Sequence, residues 1–286
     1  MYFVAYRLQN CRQEMHLRLN PAHRYANECI SKSPWNWSMN ALSEKAVSAA
    51  CGAPDSWKES YRAEFEALAC AEDFPCIYVK QAYEKGYIDF HFMEDCQSEV
   101  ERLKAFEAFK HYVGNVLATP DERVAAMKIL LIVVNTDGVA GGHEQISWDL
   151  LNDFVRRDEI PWPEHLTGNP DDEDWAYCFQ GQRLFVNLSS PEHLLRRSRN
   201  LGSRLVLVMQ LRDGIDCIAP PNAKGDVIRQ FIRQRINTYD QVPVSADLAT
   251  HGQGQNRDWK QFWLGDREAV LEGTCPFHMP DNTAKA

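Results

Sequence analysis

Two short apolar runs constrain this chain more than anything else in it: Ile129–Val134 (ILLIVV) and Leu205–Met209 (LVLVM). Both have strand length, and Met127–Val134 is β-branched and nearly continuous, the pattern of a buried strand. Neither approaches the roughly 18 apolar residues that a membrane-spanning helix needs. At 286 residues with 44% apolar side chains, the chain is long enough to build a sizeable core around such strands.

The segments between them alternate in period. Asp55–Ala71 places Trp57, Tyr61, Phe65 and Leu68 at spacings of four, four and three, which predicts an amphipathic helix. Cys76–Tyr83 and Tyr87–Met93, separated by Glu84-Lys85-Gly86, read as a β-hairpin. Glu99–Val116, Ile146–Arg156 and Ala223–Tyr239 read as helices, and Trp175–Phe179 pairs with Arg183–Leu188 across Gln180-Gly181-Gln182. Leu205–Leu211 is a further strand. In SSPEHLLRRSRNLGSRLVLVMQLR, Ser190 is a suitable N-cap, Pro191 a suitable first helical residue and Gly202 a suitable stop, so a helix over 190–201 is expected. Hairpin-like strands with helices between them predict an α+β (mixed α/β) single domain, a mostly antiparallel sheet flanked by helices. That domain is expected over 51–286, with 1–50 a weakly ordered lead-in.

The net charge of −9 argues against nucleic acid and anionic membrane surfaces as partners. It conceals a local excess: residues 183–235 carry ten Lys+Arg against four Asp+Glu. The first twenty residues lack the apolar h-region of a secretory signal, so a cytoplasmic location is expected. Nine scattered cysteines without a CxxC pair read as reduced thiols. HExxH, GxSxG and GxxxxGK[ST] are all missing, which lowers zinc-hydrolase, α/β-hydrolase and P-loop readings.

The expected 190–201 helix holds the chemistry. His193 lies near its start, where the dipole disfavours imidazolium and leaves the neutral form that ligates metals. Arg196 and Arg197 follow three and four residues later, and then Arg199. A neutral imidazole beside guanidinium groups suits an iron porphyrin, whose propionates accept arginine contacts. The same residues also read as a capping or core histidine with arginines in ion pairs. Cys275, in a Cys-Pro dipeptide, and Cys76, after Phe74-Pro75, are rival thiolate ligands. His143 reads as a turn-and-cap residue beside Glu144. Trp162, Trp175, Trp259 and Trp263 read as core or pocket aromatics, and Asp137, Glu144, Asp213 and Asp216 as surface carboxylates or acceptors of a cationic substrate.

From SWDLLNDFVRRDEIPWP through NPDDEDWAYCFQGQRLFVNLSSPEHLLRRSRNLGSRLVLVMQLR, the chain resembles the YqcI/YcgG family. Phe74-Pro75-Cys76, Ile232-Arg233, Arg235-Ile236, Tyr239-Asp240, Trp259-Lys260-Gln261 and Cys275-Pro276-Phe277 extend the resemblance over roughly 55–278. Leu211-Arg212 stands where the family often has Pro-Arg.

The resemblance implies a heme protein that hydroxylates a guanidino nitrogen in natural-product biosynthesis of the D-cycloserine type. It places the motif Pro-x-His-x-x-x-Arg-Ser-Arg on Pro191, His193, Arg197, Ser198 and Arg199. His193 is then the expected axial ligand of heme b, with Arg196, Arg197 and Arg199 as propionate contacts and Cys275 and Cys76 as the alternatives. The expected substrate is a small cation, L-arginine first, oxidised with peroxide or with dioxygen and an external reductase. The rival is a heme carrier or sensor without turnover. Homodimers being the commonest assembly, a homodimer is the default expectation.

Overall fold

The computed structural model describes residues 56–254 and 256–279, so the expected lead-in over 1–50 lies outside the described residues. In chain order the elements are α1 (Trp57–Ala69), α2 (Val79–Glu84), β1 (Ile88–Met93), α3 (Glu99–Leu117), α4 (Glu122–Met127), β2 (Ile129–Val134), α5 (His143–Arg157), β3 (Cys178–Phe179), β4 (Gln182–Ser189), β5 (Leu205–Leu211), α6 (Arg212–Ile218) and α7 (Ala223–Tyr239). Single 3-10 turns occur at Arg197–Arg199 and Asp258–Gln261.

The strands form one sheet in the order β1-β2-β5-β4-β3. Only β1 and β2 run parallel; the other pairings are antiparallel. This is the expected α+β architecture with a mostly antiparallel sheet. The two apolar runs that dominate the sequence become two adjacent interior strands, β2 and β5. On one face Leu130, Ile132 and Val134 pack with Phe106, Phe109 and Val113 of α3 and Leu150, Leu151 and Phe154 of α5. On the other, Leu131 and Val133 pack with Tyr61 and Phe65 of α1 and with Val79 and Ala82 of α2. A strand covered on both faces has no polar side to alternate with, which is why ILLIVV is continuous. Each such side chain stabilises the fold by roughly 2 kcal/mol through burial.

The helices end where the chain supplies caps. Ser56, Ser98 and Asp121 accept backbone N–H groups at the starts of α1, α3 and α4, and Asn222 does so for α7. Gly225 lets α7 approach the preceding loop: a Cβ there would stand 1.8 Å from the Pro220 carbonyl oxygen. The β3–β4 turn has Gln180 and Gly181 at φ 52° and 68°, the backbone of a tight hairpin.

Two expectations are corrected. Residues 76–83 do not pair with β1: Val79–Glu84 is a helix, and β1 is parallel to β2 instead. Val79 and Ala82 are both buried at a spacing of three, a helical pattern that the short apolar run disguised. Likewise 190–201 is a loop with one 3-10 turn. Its backbone donors leave the helical ladder: Ser190 N–H bonds the Arg199 carbonyl at 2.8 Å, and the donors of Leu194, Leu195 and Arg196 turn to Asp266.

The register gathers Met93, Val134, Leu205 and Ser189 at one end of the sheet, and Ile88, Ile129 and Leu184 at the other. The 256–266 segment runs along β4, with Leu188 N–H bonded to the Phe262 carbonyl at 3.0 Å. It thereby reaches both ends.

Candidate functional site

The site lies at the end of the sheet marked by Ser189, on the loop that leaves β4. Asp266 anchors that loop. Its carboxylate accepts the N–H groups of Leu194 (2.7 Å), Leu195 (2.9 Å) and Arg196 (2.8 Å). Burial pushes this carboxyl up, but the three backbone donors and His193 outweigh it and hold it below the usual carboxylate range. Asp240, just after α7, fixes the next turn by accepting Ser198 N–H at 2.7 Å and its hydroxyl at 2.8 Å.

Held this way, His193 is 2% exposed, its ring centroid 4.3 Å from that of Trp263. Neither ring nitrogen meets hydrogen-bond geometry, although the backbone carbonyls of Ser190 and Arg199 lie beside the ring. Burial first, and the Arg199 guanidinium second, push its pKa down to about 4, against the partial offset of Asp266 and the nearby carbonyls of Ser190 and Arg199. The imidazole is therefore neutral at physiological pH. The expected neutrality holds, but its cause changes: no helix dipole acts here, and desolvation does the work instead.

The three arginines have different fates. Arg196 is 1% exposed, and its guanidinium donates to the carbonyls of Gly265 (2.9 Å), Pro243 (3.0 Å) and Arg267 (3.0 Å), with Asp240 3.8 Å away. It ties the loop to the 243–267 segment. Arg197 is exposed and lies over the Tyr239 ring at 4.5 Å. Arg199 is buried, its Nη1 has no partner, and burial together with Arg196 pushes its pKa down to about 10. His193 and Arg199 are thus an electrostatically coupled pair of buried groups whose open hydrogen-bonding positions are available to a group from outside the chain.

The cysteines are placed elsewhere. Cys76 packs in the core layer of α1 and α2, across the sheet from Trp263. Cys275 precedes Pro276, whose carbonyl accepts the Asn152 amide in the middle of α5. Burial pushes both thiols up, that of Cys275 to about 12, so each is protonated and a poor ligand as it stands.

Among the acids singled out by sequence, Asp137 pairs with Arg204 (2.8 Å) and Asp213 with Arg183 (2.6 Å). Asp216 belongs to α6, at the far end of the sheet. Glu144 is on the first turn of α5 at the same end as His193 and makes no ion pair among the described residues. Burial pushes its carboxyl up, Glu192 adds to this, and Arg267 opposes it. Trp162, Trp175 and Trp259 are core aromatics, and Trp263 alone of the four meets the site.

Sequence reasoning missed Asp266 and Trp263 as partners of the loop because they arrive from about seventy residues away. Ser190 was legible as a polar residue that bonds its own backbone: its hydroxyl accepts Glu192 N–H at 3.0 Å, a serine turn rather than a helix cap.

Among the described residues, no three His, Cys, Asp or Glu side chains are placed to hold a metal ion. A lone neutral imidazole suits a metal that brings its other ligands within a cofactor. A shallow surface depression, with little enclosed space, is lined by Ser245, Asp247, Ala269 and Leu271 as well as by Trp263, Leu264, Gly265 and Arg267. No helix among the described residues is long and apolar enough to cross a membrane.

Fold and loop together define an α+β protein that presents a buried, uncharged imidazole, with no hydrogen bond at its ring nitrogens, beside a buried arginine at one end of its sheet. Residues 65–278 match the model of the YqcI/YcgG family, and the chain belongs to that family. It is 32% identical to a Streptomyces lavendulae protein named "Putative N(omega)-hydroxy-L-arginine synthase DcsA", over 76% of this chain and 83% of that one. Two Bacillus subtilis relatives are uncharacterized: YqcI, 28% identical over 74% of this chain and 83% of its own, and YcgG, 29% identical over 78% and 90%. No solved structure matches the chain.

Proposed function

We propose that this protein is a heme-dependent enzyme that hydroxylates a guanidino nitrogen, with L-arginine as the first substrate to test. The observation that carries the reading is His193: a buried imidazole, neutral and with no hydrogen bond at either nitrogen, in a chain 32% identical to a protein named for hydroxyarginine synthesis. A bound heme would supply the oxygen-activating chemistry, with peroxide, or with dioxygen and an external reductase, as oxidant.

The residues have separable tasks. His193 would supply the ring nitrogen that holds the heme iron. Arg199, with its free Nη1, and Arg197, at the surface, are the candidates for the propionates, whereas Arg196 already donates to three carbonyls. Glu144, on the first turn of α5 at the same end of the sheet and without an ion pair among the described residues, is the candidate carboxylate for the substrate guanidinium. A carboxyl raised by burial is a stronger base than an exposed one, and it suits both an ionic contact and removal of a proton from a weakly acidic nitrogen.

The absorption spectrum of the purified, hemin-reconstituted protein tests the cofactor: a Soret band is expected. Incubation with L-arginine and either peroxide or a reductase system tests the reaction. A product heavier by one oxygen atom is expected, and its absence with arginine and related guanidines would leave only a heme carrier or sensor. Glu144→Gln should raise KM for arginine about tenfold or more and leave the Soret band in place.

A further inference from the structure

We infer that His143 is a positioning residue for the ligand loop, acting through the hydroxyl of Ser190. The inference rests on the reading of His193 as the ligand and adds a residue that the reading did not use.

His143 opens α5, and its ring bridges two hydroxyls: Nε2 is 2.9 Å from Thr136 Oγ1, just beyond β2, and Nδ1 is 2.7 Å from Ser190 Oγ, just beyond β4. Its backbone is held as well. The N–H donates to Glu192 at 3.3 Å, and the carbonyl accepts the Ser147 hydroxyl at 2.7 Å.

Ser190 is fully buried, and the loop turns on it. Its carbonyl accepts His193 N–H at 3.1 Å, and its own N–H donates to the Arg199 carbonyl at 2.8 Å. His193 and Arg199 thus both hang from the backbone of this one residue, through the two peptide planes that meet at its Cα. The two planes are hinged at the Ser190 Cα, so a contact that fixes the Ser190 side chain, and with it that Cα, restrains both bonds. The Ser190 hydroxyl accepts Glu192 N–H at 3.0 Å, leaving one lone pair and one proton for the imidazole. His143 is the group that occupies that remaining position, and through Thr136 it refers the loop to the end of a core strand.

The two contacts of His143 can be separated by substitution. The amide of asparagine reaches the place of Nδ1 and keeps the Ser190 contact; that of glutamine reaches the place of Nε2 and keeps only the Thr136 contact. If Ser190 transmits the effect, His143→Ala and His143→Gln should weaken hemin binding by about tenfold or more and shift the Soret maximum, as loss of outer-shell support does at metal sites. His143→Asn should restore both, and Ser190→Ala should match His143→Ala without adding to it. Equal behaviour of the Asn and Gln variants would overturn the inference, as would an unchanged Soret maximum in His143→Ala. Should His143→Ala fail to fold, the Asn and Gln pair carries the same test. Should the natural protein take up no hemin, the heme reading falls by itself. The ¹⁵N shifts of the His193 ring in the cofactor-free protein at neutral pH then decide: they should move in the Gln variant and hold in the Asn variant.

Discussion

Both ends of the sheet bury arginine, and Arg212 at one end and Arg199 at the other are treated differently. At the far end Arg212 meets Asp258 at 2.6 Å, with Gln261 and Asn256 bonded behind it and His251 3.6 Å from the same carboxylate. Arg212 and His251 together hold Asp258 below the usual carboxylate range against the upward push of burial. At the near end Arg199 has an orphaned Nη1, and His193 has two orphaned ring nitrogens. Polar groups are buried at both ends. Orphaned nitrogens occur at both ends, Arg212 Nε and His251 Nδ1 among them; what differs is that Arg212 has a carboxylate at 2.6 Å, whereas the near-end carboxylates Asp240 and Asp266 are taken up by Ser198 and by the N–H groups of Leu194, Leu195 and Arg196.

The largest expected effect sharpens that contrast at its centre. His193→Ala should reduce hemin affinity at least a hundredfold, read as loss of the Soret band in a titration, because no second side chain among the described residues is placed to take over the metal. A thiolate-type spectrum in that variant would return Cys275 or Cys76 to consideration.

Charge removal should break the symmetry between the ends. Arg212→Met leaves Asp258 buried without its partner and should cost about 3–5 kcal/mol in denaturant unfolding. Arg199→Met removes a charge that burial already disfavours, so the cofactor-free protein should be at least as stable as the natural one while binding hemin more weakly. Comparable destabilisation by both changes would show that the near end is compensated after all.

The pH dependence follows from His193. Its folded pKa of about 4 lies below its ordinary value of 6.5, so between those values the unfolded chain holds a proton that the folded one does not. Stability from this group is complete above 6.5 and is lost as pH falls toward 4, by up to about 3 kcal/mol. Urea unfolding across that window should show the slope, and His193→Ala should flatten it. The smallest effect concerns Cys275: with its thiol pushed up to about 12, Cys275→Ala should leave the Soret maximum of the heme-loaded protein where it is.

Much of the fold was legible because its signals are local. ILLIVV and LVLVMQL are strands by composition, α3, α5 and α7 are helices by period, and the β3–β4 turn is marked by glycine. The failures came where local and distant partners compete. The 76–83 stretch had apolar residues suiting either period, and only the choice of β2 as the partner of β1 settled it. The 190–201 stretch had a helix's punctuation, but its donors found Asp266 and its carbonyls found Ser190 and Arg199, so the ladder never formed.

The candidate site divides in the same way. The sequence by itself determined which residue types are present, that imidazole and guanidinium groups are clustered within seven positions of one loop, and that a neutral histidine was to be expected there. Tertiary structure decided which of them are free. Arg196 and Arg199 are three residues apart and indistinguishable by type, yet one donates to the carbonyls of Gly265, Pro243 and Arg267 and the other has a nitrogen with no acceptor. Hydrogen-bond satisfaction depends on groups that arrive from distant parts of the chain, and a linear pattern cannot show which donors those groups will meet.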